Sequence, residues 1–382
     1  MRWMPRSVAV ASAVSVGLAG AWPGYAGDAS PSLPTAVRMD PPPRSFSVAA
    51  VGDWLSEGLV NRVAAGLAAD GVRYDHEPLL RPVAPLLQSV DLAICHMETP
   101  IGLPGAKAGL VGTSPSGTSL IAAPYEVAGD LARAGFDRCS TASNHSNDLG
   151  VAGISQTLNA LDAVGISHTG TARSQEEVGF DVFEVSGVAV AHMSYALNSN
   201  TGWPSEGWRL DKAVNASEVV NDVAAARSAG AEVVIVSLHV YVEMQSGPTV
   251  ADRALVQAIT SQADVDLVVI HGPHVVQPFE WVNATPVYWS LGNFMSAMGQ
   301  PDRGRYSDTR TLDGLMATVR FTEQADGSWS AEPFTVLLCN VTGSHKVYPG
   351  LTTLADPATS PALRAQLQAC VGRTLPVVAE VH

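Results

Sequence analysis

Residues 231–240, AEVVIVSLHV, and residues 265–274, VDLVVIHGPH, are two short, nearly unbroken apolar runs rich in β-branched side chains. Neither alternates with polar residues, and neither is long enough to cross a bilayer, so each reads as a strand buried on both faces. Helix-like stretches surround them: residues 216–230, ASEVVNDVAAARSAG, come before the first run, and residues 252–263, DRALVQAITSQA, lie between the two. Strand, amphipathic helix and strand in succession predict an α/β fold.

The same alternation runs back toward the N-terminus. SFSVAAVGD (45–53) precedes SEGLVNRVAAGLAAD (56–70), and VDLAICHMET (90–99) precedes a long Gly/Pro/Ser loop. YEVAGDLARAG (125–135) leads into FDRCSTASNHS (136–146), and GISQTLNALDAVG (153–165) reads as a further helix before VAVAHMSYAL (188–197). From about residue 310 the pattern becomes two strands around a polar turn, GLMATVRFTEQADGSWSAEPFTVLLCNV, an expected antiparallel hairpin closing a sheet. SPALRAQLQACVGRT (360–374) is the expected terminal helix.

Arg2 and Arg6, the apolar run SVAVASAVSVGLAGAW and the small residues ending at Ala26 have the layout of a secretory signal peptide, or of an uncleaved anchor. The expected organisation is a signal at 1–26, a Pro-rich linker at 27–45, a main domain at 46–345 and a C-terminal tail with its helix at 346–382. An exported, cell-envelope location follows as an expectation. The 382 residues are ample for a sizeable core, and 46% hydrophobic with 15% charged residues describes a globular chain. A net charge of −14 with no Lys/Arg cluster argues against a nucleic-acid partner. Cys95, Cys139, Cys339 and Cys370 form no C-x-x-C pair, which excludes a zinc ribbon or thioredoxin-like site. Disulfides and small buried thiols both remain open for them.

The strand-like runs share one feature: their ends carry metal-ligand types. They are Asp53 in AAVGD, Glu98 in AICHME, Asn144 and His145 in STASNH, His239 in VIVSLH, and His271 and His274 in VVIHGPH. Singly, Asp53 reads as a turn or cap residue and His239 as a buried imidazole. Together they lie where open α/β sheets bind ligands, at the carboxyl ends of strands. A mixed imidazole, carboxylate and carboxamide set suits a pair of divalent transition ions, with manganese, iron or zinc expected.

Five segments in order, VGD, DLAICHMETPIG, GFDRCSTASNHSNDLGVAGISQTLNALDAVGISHTGT, VIVSLHVYVE and DLVVIHGPHVVQPFEWVNATPVYWSLGNF, resemble the CapA (PgsA) poly-γ-glutamate synthesis family within the calcineurin-like metallophosphatase superfamily. The resemblance implies a β sandwich flanked by helices, αββα, with a binuclear centre. Asp53 would hold one ion, Glu98 would bridge both, and Asn144, His239, His271 and His274 would complete the two spheres. His145 would be the general acid, with Asp148 orienting its imidazole. The chain departs from the family pattern at His96, where Asn is usual, and at Gly272, where the middle His of the last block is replaced. Leu55 stands where related phosphatases carry a His. His96 is thus either an added ligand or a second proton carrier, and Asn293 is a further candidate at the turn of YWSLGNF.

The implied function is an exported metal-dependent enzyme of the cell envelope, a hydrolase or transferase serving poly-γ-glutamate capsule synthesis or export. Its partners would be an anionic polymer or peptide substrate and a membrane-associated synthesis complex. Two alternatives stand beside it: a peptide epimerase using His96 and His145 as an acid/base pair, and a non-enzymatic, metal-stabilised polymer-binding subunit.

Overall fold

The strand Ser45–Trp54 is the axis of the molecule. Phe46, Val48 and Ala50 point to one side of it and Ala49 and Val51 to the other, and each set enters a different apolar cluster. Burial on both faces is why this run is continuously apolar. The computed structural model describes residues 42–240, 242–300 and 304–379; the expected signal peptide, and the linker up to residue 41, lie outside them.

Two sheets lie face to face. The first runs in the order Val347–Pro349, Trp329–Asn340, Asp313–Glu323, Ser45–Trp54, Leu92–Met97, Arg138–Ser140, Ser167–Thr169, with Asn293–Met295 alongside the end of Ser45–Trp54. The second runs Phe279–Val282, Thr285–Tyr288, Leu267–His271, Val233–His239, Val188–Ala196, Val182–Val185. Val48, Ala50, Leu92 and Ile94 of the first sheet meet Val190, Val233, Ile235, Leu267 and Val269 of the second in the layer between them. Helices Gly58–Leu67, Glu126–Ala134 and Gly150–Asp162 cover the outer face of the first sheet through Val60, Val127, Leu131 and Leu161. Helices Ala216–Ser228 and Val250–Gln262 cover the second through Val219, Val223, Val256 and Ile259. The architecture is helix, sheet, sheet, helix, the αββα arrangement expected.

The strands keep a strict two-residue period, so the inward set can be followed to their ends. It reads Leu92, Ile94, His96 on one strand, Val233, Ile235, Ser237, His239 on another, and Leu267, Val269, His271 on a third. Ser45–Trp54 would break this pattern, because continuing from Ala50 would turn Gly52 inward. A bulge intervenes: Ala50 pairs with Ile94, but Asp53, three residues on, pairs with His96, two residues on. The extra residue rotates Asp53 into the line of inward histidines.

Gly52 sits inside this bulge because nothing larger fits. A Cβ there would lie 2.1 Å from the Gly292 carbonyl oxygen. This contact lets Asp53 N donate to Gly292 O at 3.0 Å and brings Asn293–Met295 alongside.

The expected hairpin is Asp313–Glu323 with Trp329–Asn340. Past residue 345, Val347–Pro349 pairs with Trp329–Asn340 in the same sheet. The terminal helix Pro361–Ala379 is tied down by a Cys339–Cys370 disulfide and by Arg373, which donates to both oxygens of Asp313 at 2.7 Å. Cys95 and Cys139, in register on adjacent strands, form the second disulfide.

Gly52→Ala should therefore lower stability by more than about 3 kcal/mol, a cost typical of severe overpacking. Urea unfolding checks it, with Gly58→Ala, where an added Cβ meets nothing within 4 Å, as the control expected to differ little.

Candidate metal centre

The inward line of polar strand ends converges between the sheets. Asp53, Glu98, His96, His239, His271 and His274 are all buried. Asp53 Oδ1 lies 3.3 Å from His271 Nδ1, and Asp53 Oδ2 lies 3.0 Å from His274 Nδ1. His274 Nε2 is 3.7 Å from Glu98 Oε1. One donor atom each from Asp53, Glu98 and His274 fall within 4.8 Å of one another, and so do one each from Asp53, His96 and His271. The shared carboxylate is Asp53; Glu98, expected to bridge both ions, belongs to the first group alone.

The remaining expected ligands take distinct places. Asn144 lies four residues past the strand Arg138–Ser140, on the wall of the cavity above the centre. His239 pairs in register with His271, and its Nδ1 is 3.0 Å from His96 Nε2. His271, expected as a ligand at the end of its strand, is there and faces Asp53. Gly272 has φ +101°, and a Cβ on it would lie 2.3 Å from the Val240 carbonyl oxygen and 3.1 Å from His239 Nε2. A histidine at this position is therefore sterically incompatible with the strand ends as they stand. Gly272 contributes its backbone instead, its N–H donating to Asp53 Oδ2 at 3.2 Å. Proline then turns the chain, and His274 adopts φ +59°, a conformation costly for a side chain with a Cβ and characteristic of functional sites.

Burial would push the Asp53 carboxyl up, yet the imidazoles of His271 and His274 beside it hold it well below the usual carboxylate range. Burial pushes Glu98 well above that range. Burial alone would lower His274, but the Glu98 and Asp53 carboxylates around it raise it to about 10. Burial takes His239 down to about 3. The same surroundings that favour positive charge on His274 would favour a divalent ion.

The fit of the site to metal rests on its unpartnered atoms. Asp53 Oδ1, both Glu98 oxygens, Asn144 Oδ1 and His271 Nδ1 are buried without a hydrogen-bond partner. Such groups cost about 1–3 kcal/mol each unless something satisfies them. They are all lone-pair donors of the types that divalent ions take.

His145 stands on the cavity wall beside Asn144 and His274. Its Nδ1 donates to Asp148 Oδ2 at 2.5 Å, and the same oxygen accepts from Ile121 N at 2.8 Å. A carboxylate only accepts, so the proton sits on Nδ1 and Nε2 is left to exchange protons. Asp148 thus holds the His145 ring through Nδ1. The turn is set by Ser143, whose Oγ donates to Glu98 O at 2.5 Å and accepts from His145 N at 3.0 Å. The cavity is about 640 Å³; its wall includes Leu55, Glu57, Glu243, Asn200 and the hairpin Gly109–Thr113 with Ser119–Ala122. His96 is not on that wall, so the paired acid/base arrangement of His96 with His145 is not formed across the cavity. Asn293, inward at the bulge, accepts from His274 Nδ1 at 3.0 Å.

Sequence reasoning missed Asn200, whose Nδ2 is 3.3 Å from His145 Nε2 and whose N–H donates to Asn144 O. It lies in a loop with no periodic signal. It also missed His192, which had one: it falls on the inward positions of Val188–Ala196 and hydrogen-bonds Ser237 Oγ at 2.9 Å.

The family model described as "Bacterial capsule synthesis protein PGA_cap" matches residues 47–298, more than half of the chain. The "PGA biosynthesis protein CapA" of Bacillus subtilis (strain 168) is 26% identical over 206 residues, 53% of this chain and 51% of that protein. The "Capsule biosynthesis protein CapA" of Bacillus anthracis is 24% identical over 270 residues, 69% of this chain and 62% of that one. The matched region thus spans between half and two thirds of these relatives' length. Among solved structures, the calcineurin-like phosphoesterase YfkN from Bacillus subtilis aligns with a TM-score of 0.45 at 12% identity, covering 88% of this chain and 98% of that one. A 5'-nucleotidase precursor from Thermus thermophilus aligns with a TM-score of 0.42 at 12% identity, over 88% and 59%.

A site completed by metal should stabilise the fold on loading. Manganese or zinc at a hundredfold excess over its Kd should add about 2.7 kcal/mol, read as a rise in Tm that chelator reverses. Glu98→Gln should shrink that rise.

Proposed function

The chain belongs to the PGA_cap family of bacterial capsule synthesis proteins, and from that premise we propose that it is a metal-dependent hydrolase or transferase serving capsule polymer synthesis or export at the cell envelope. The observation that carries the enzymatic part is the His145–Asp148 pair on a cavity wall, beside the unpartnered donors of a buried metal site. A binding subunit would have no need of an oriented imidazole with its Nε2 left to exchange protons.

Bound at Asp53, Glu98, Asn144, His271 and His274, divalent ions would supply Lewis-acid polarisation of a phosphoryl or carbonyl oxygen. The chain's own groups do the rest. The cavity admits a substrate segment between the 109–122 hairpin and the strand ends. His145 Nε2 takes a proton from the attacking water and passes it to the departing oxygen or nitrogen, while Asp148 keeps the Nδ1 proton and the ring orientation that make this transfer possible. Asn200, beside the same ring, restricts its rotation. Burial of the carboxylates keeps bulk water from competing for the centre.

The proposed substrate is a phosphoryl ester or an amide of a peptide-like anionic polymer, with the charge of the polymer countered by the ions. Export, and work within a membrane-associated synthesis complex, belong to the same proposal. No helix among the described residues is long and apolar enough to cross a membrane.

The test is turnover of metal-loaded protein on a generic phosphodiester and on polyglutamate. His145→Ala should lower kcat by about 10²- to 10⁴-fold, the usual worth of a positioned acid, while keeping the metal-induced rise in Tm. Asp148→Asn should lower kcat and alter its pH profile, with KM little changed. Wild-type protein that binds metal but turns over neither substrate would return the chain to a polymer-binding role.

A further inference from the structure

His96 and its neighbour His239 are the imidazoles at the centre that the acid–base reading leaves without work, and His96 is the one grouped with Asp53 and His271. It is buried and off the cavity wall, so it meets no substrate. Its surroundings are those of a held ligand. Ser140 Oγ donates to the Cys95 carbonyl at 3.3 Å and therefore offers a lone pair to His96 Nδ1, 2.8 Å away. His96 Nδ1 then carries the proton, and the lone pair is on Nε2. That lone pair accepts from His239 Nδ1 at 3.0 Å, a hydrogen bond that a bound ion would replace, and the His96 ring stacks on His271 with centroids 3.9 Å apart and planes 11° from parallel.

Two of the five unpartnered atoms named above, Asp53 Oδ1 and His271 Nδ1, lie 3.3 Å apart in this same corner. The bulge that turns Asp53 inward also places it opposite His96. The two ion positions therefore differ in chemistry. The upper one, Asp53, Glu98 and His274 with Asn144 nearby, is rich in oxygen. The lower one, Asp53, His96 and His271 with His239 against His96, is rich in nitrogen.

We propose that His96 is a metal ligand, and that Asp53, His96 and His271 form a nitrogen-rich position taking a borderline ion such as zinc, cobalt or copper, below an oxygen-rich position suited to manganese or magnesium. Imidazole donors select the first class and carboxylate and carboxamide oxygens the second, so the chain would load two unlike ions. This rests on the metal-centre reading and goes beyond it in assigning His96 and the order of the two positions.

The test uses the protein loaded with cobalt(II), with bound metal counted by elemental analysis and the visible spectrum recorded. Wild-type protein should hold about two equivalents, as a binuclear site requires. His96→Asn and His271→Gln should each lose one equivalent together with most of the visible band, while Glu98→Gln should lose an equivalent and keep the band. Circular dichroism in chelator identifies any variant that fails to fold. The wild-type protein gives an independent reading: with one equivalent of copper(II), pulsed electron paramagnetic resonance should count at least two coordinated imidazoles. A count of one, or a folded His96→Asn that keeps both cobalt ions and the band, would overturn the assignment of His96 and leave the metal centre standing. Wild-type protein that takes up no cobalt or copper would overturn both.

Discussion

An ionised carboxylate shut away from water is among the costliest groups a protein can bury, and Asp53 has no exposure at all. Much of the local structure is arranged around that fact. The bulge aims it inward, Gly52 and Gly292 permit the backbone contact that fixes the bulge, and Gly272 gives it a backbone N–H. The His271 and His274 imidazoles lie 3.3 Å and 3.0 Å from its oxygens. Because Asp53 is shared by both groups of donors, its position governs the whole centre.

Two buried polar networks elsewhere make a contrast with this one. Arg138, fully buried between the sheets, meets Asp181, Ser167 and His192 and lies over the Phe183 ring at 4.5 Å. His76 is held by Asp130 through Nδ1 and by Asn61 through Nε2. These networks are satisfied and lie off the cavity above the metal centre, and they stabilise the packing of layers. At the strand ends, oxygens and nitrogens of equal burial are left unpartnered. A chain that satisfies Arg138 with three partners has the means to satisfy Glu98, so the unpaired state of Glu98 points to a ligand.

Much of the site was legible because strand periodicity carries it. Once His239 and His271 are taken as strand ends, every second residue back from them is inward, which recovers Ser237 and, by the same parity, His96 and Ser140. Asp53 was legible as a strand-end carboxylate but not as the shared one, because its inward turn depends on a bulge that no local pattern announces. Asn200 was invisible for a related reason: a loop residue has no period, and its place beside His145 depends on where the loop returns. The strand Val347–Pro349 was not legible because three residues are too short to leave a signal.

The sequence by itself determined the layers and the list of chemistry. Continuous β-branched runs demand burial on both faces, amphipathic stretches must cover them, and polar residues at strand ends have nowhere to converge except the edge of the sheet. The division of labour among those residues came from tertiary structure alone. Which carboxylate is shared, whether His96 lines the cavity or lies behind its wall, and why Gly272 cannot carry a side chain are questions of one to three ångströms across two sheets. Local propensity acts over a few neighbouring residues, whereas those distances are set by long-range packing of segments more than a hundred residues apart.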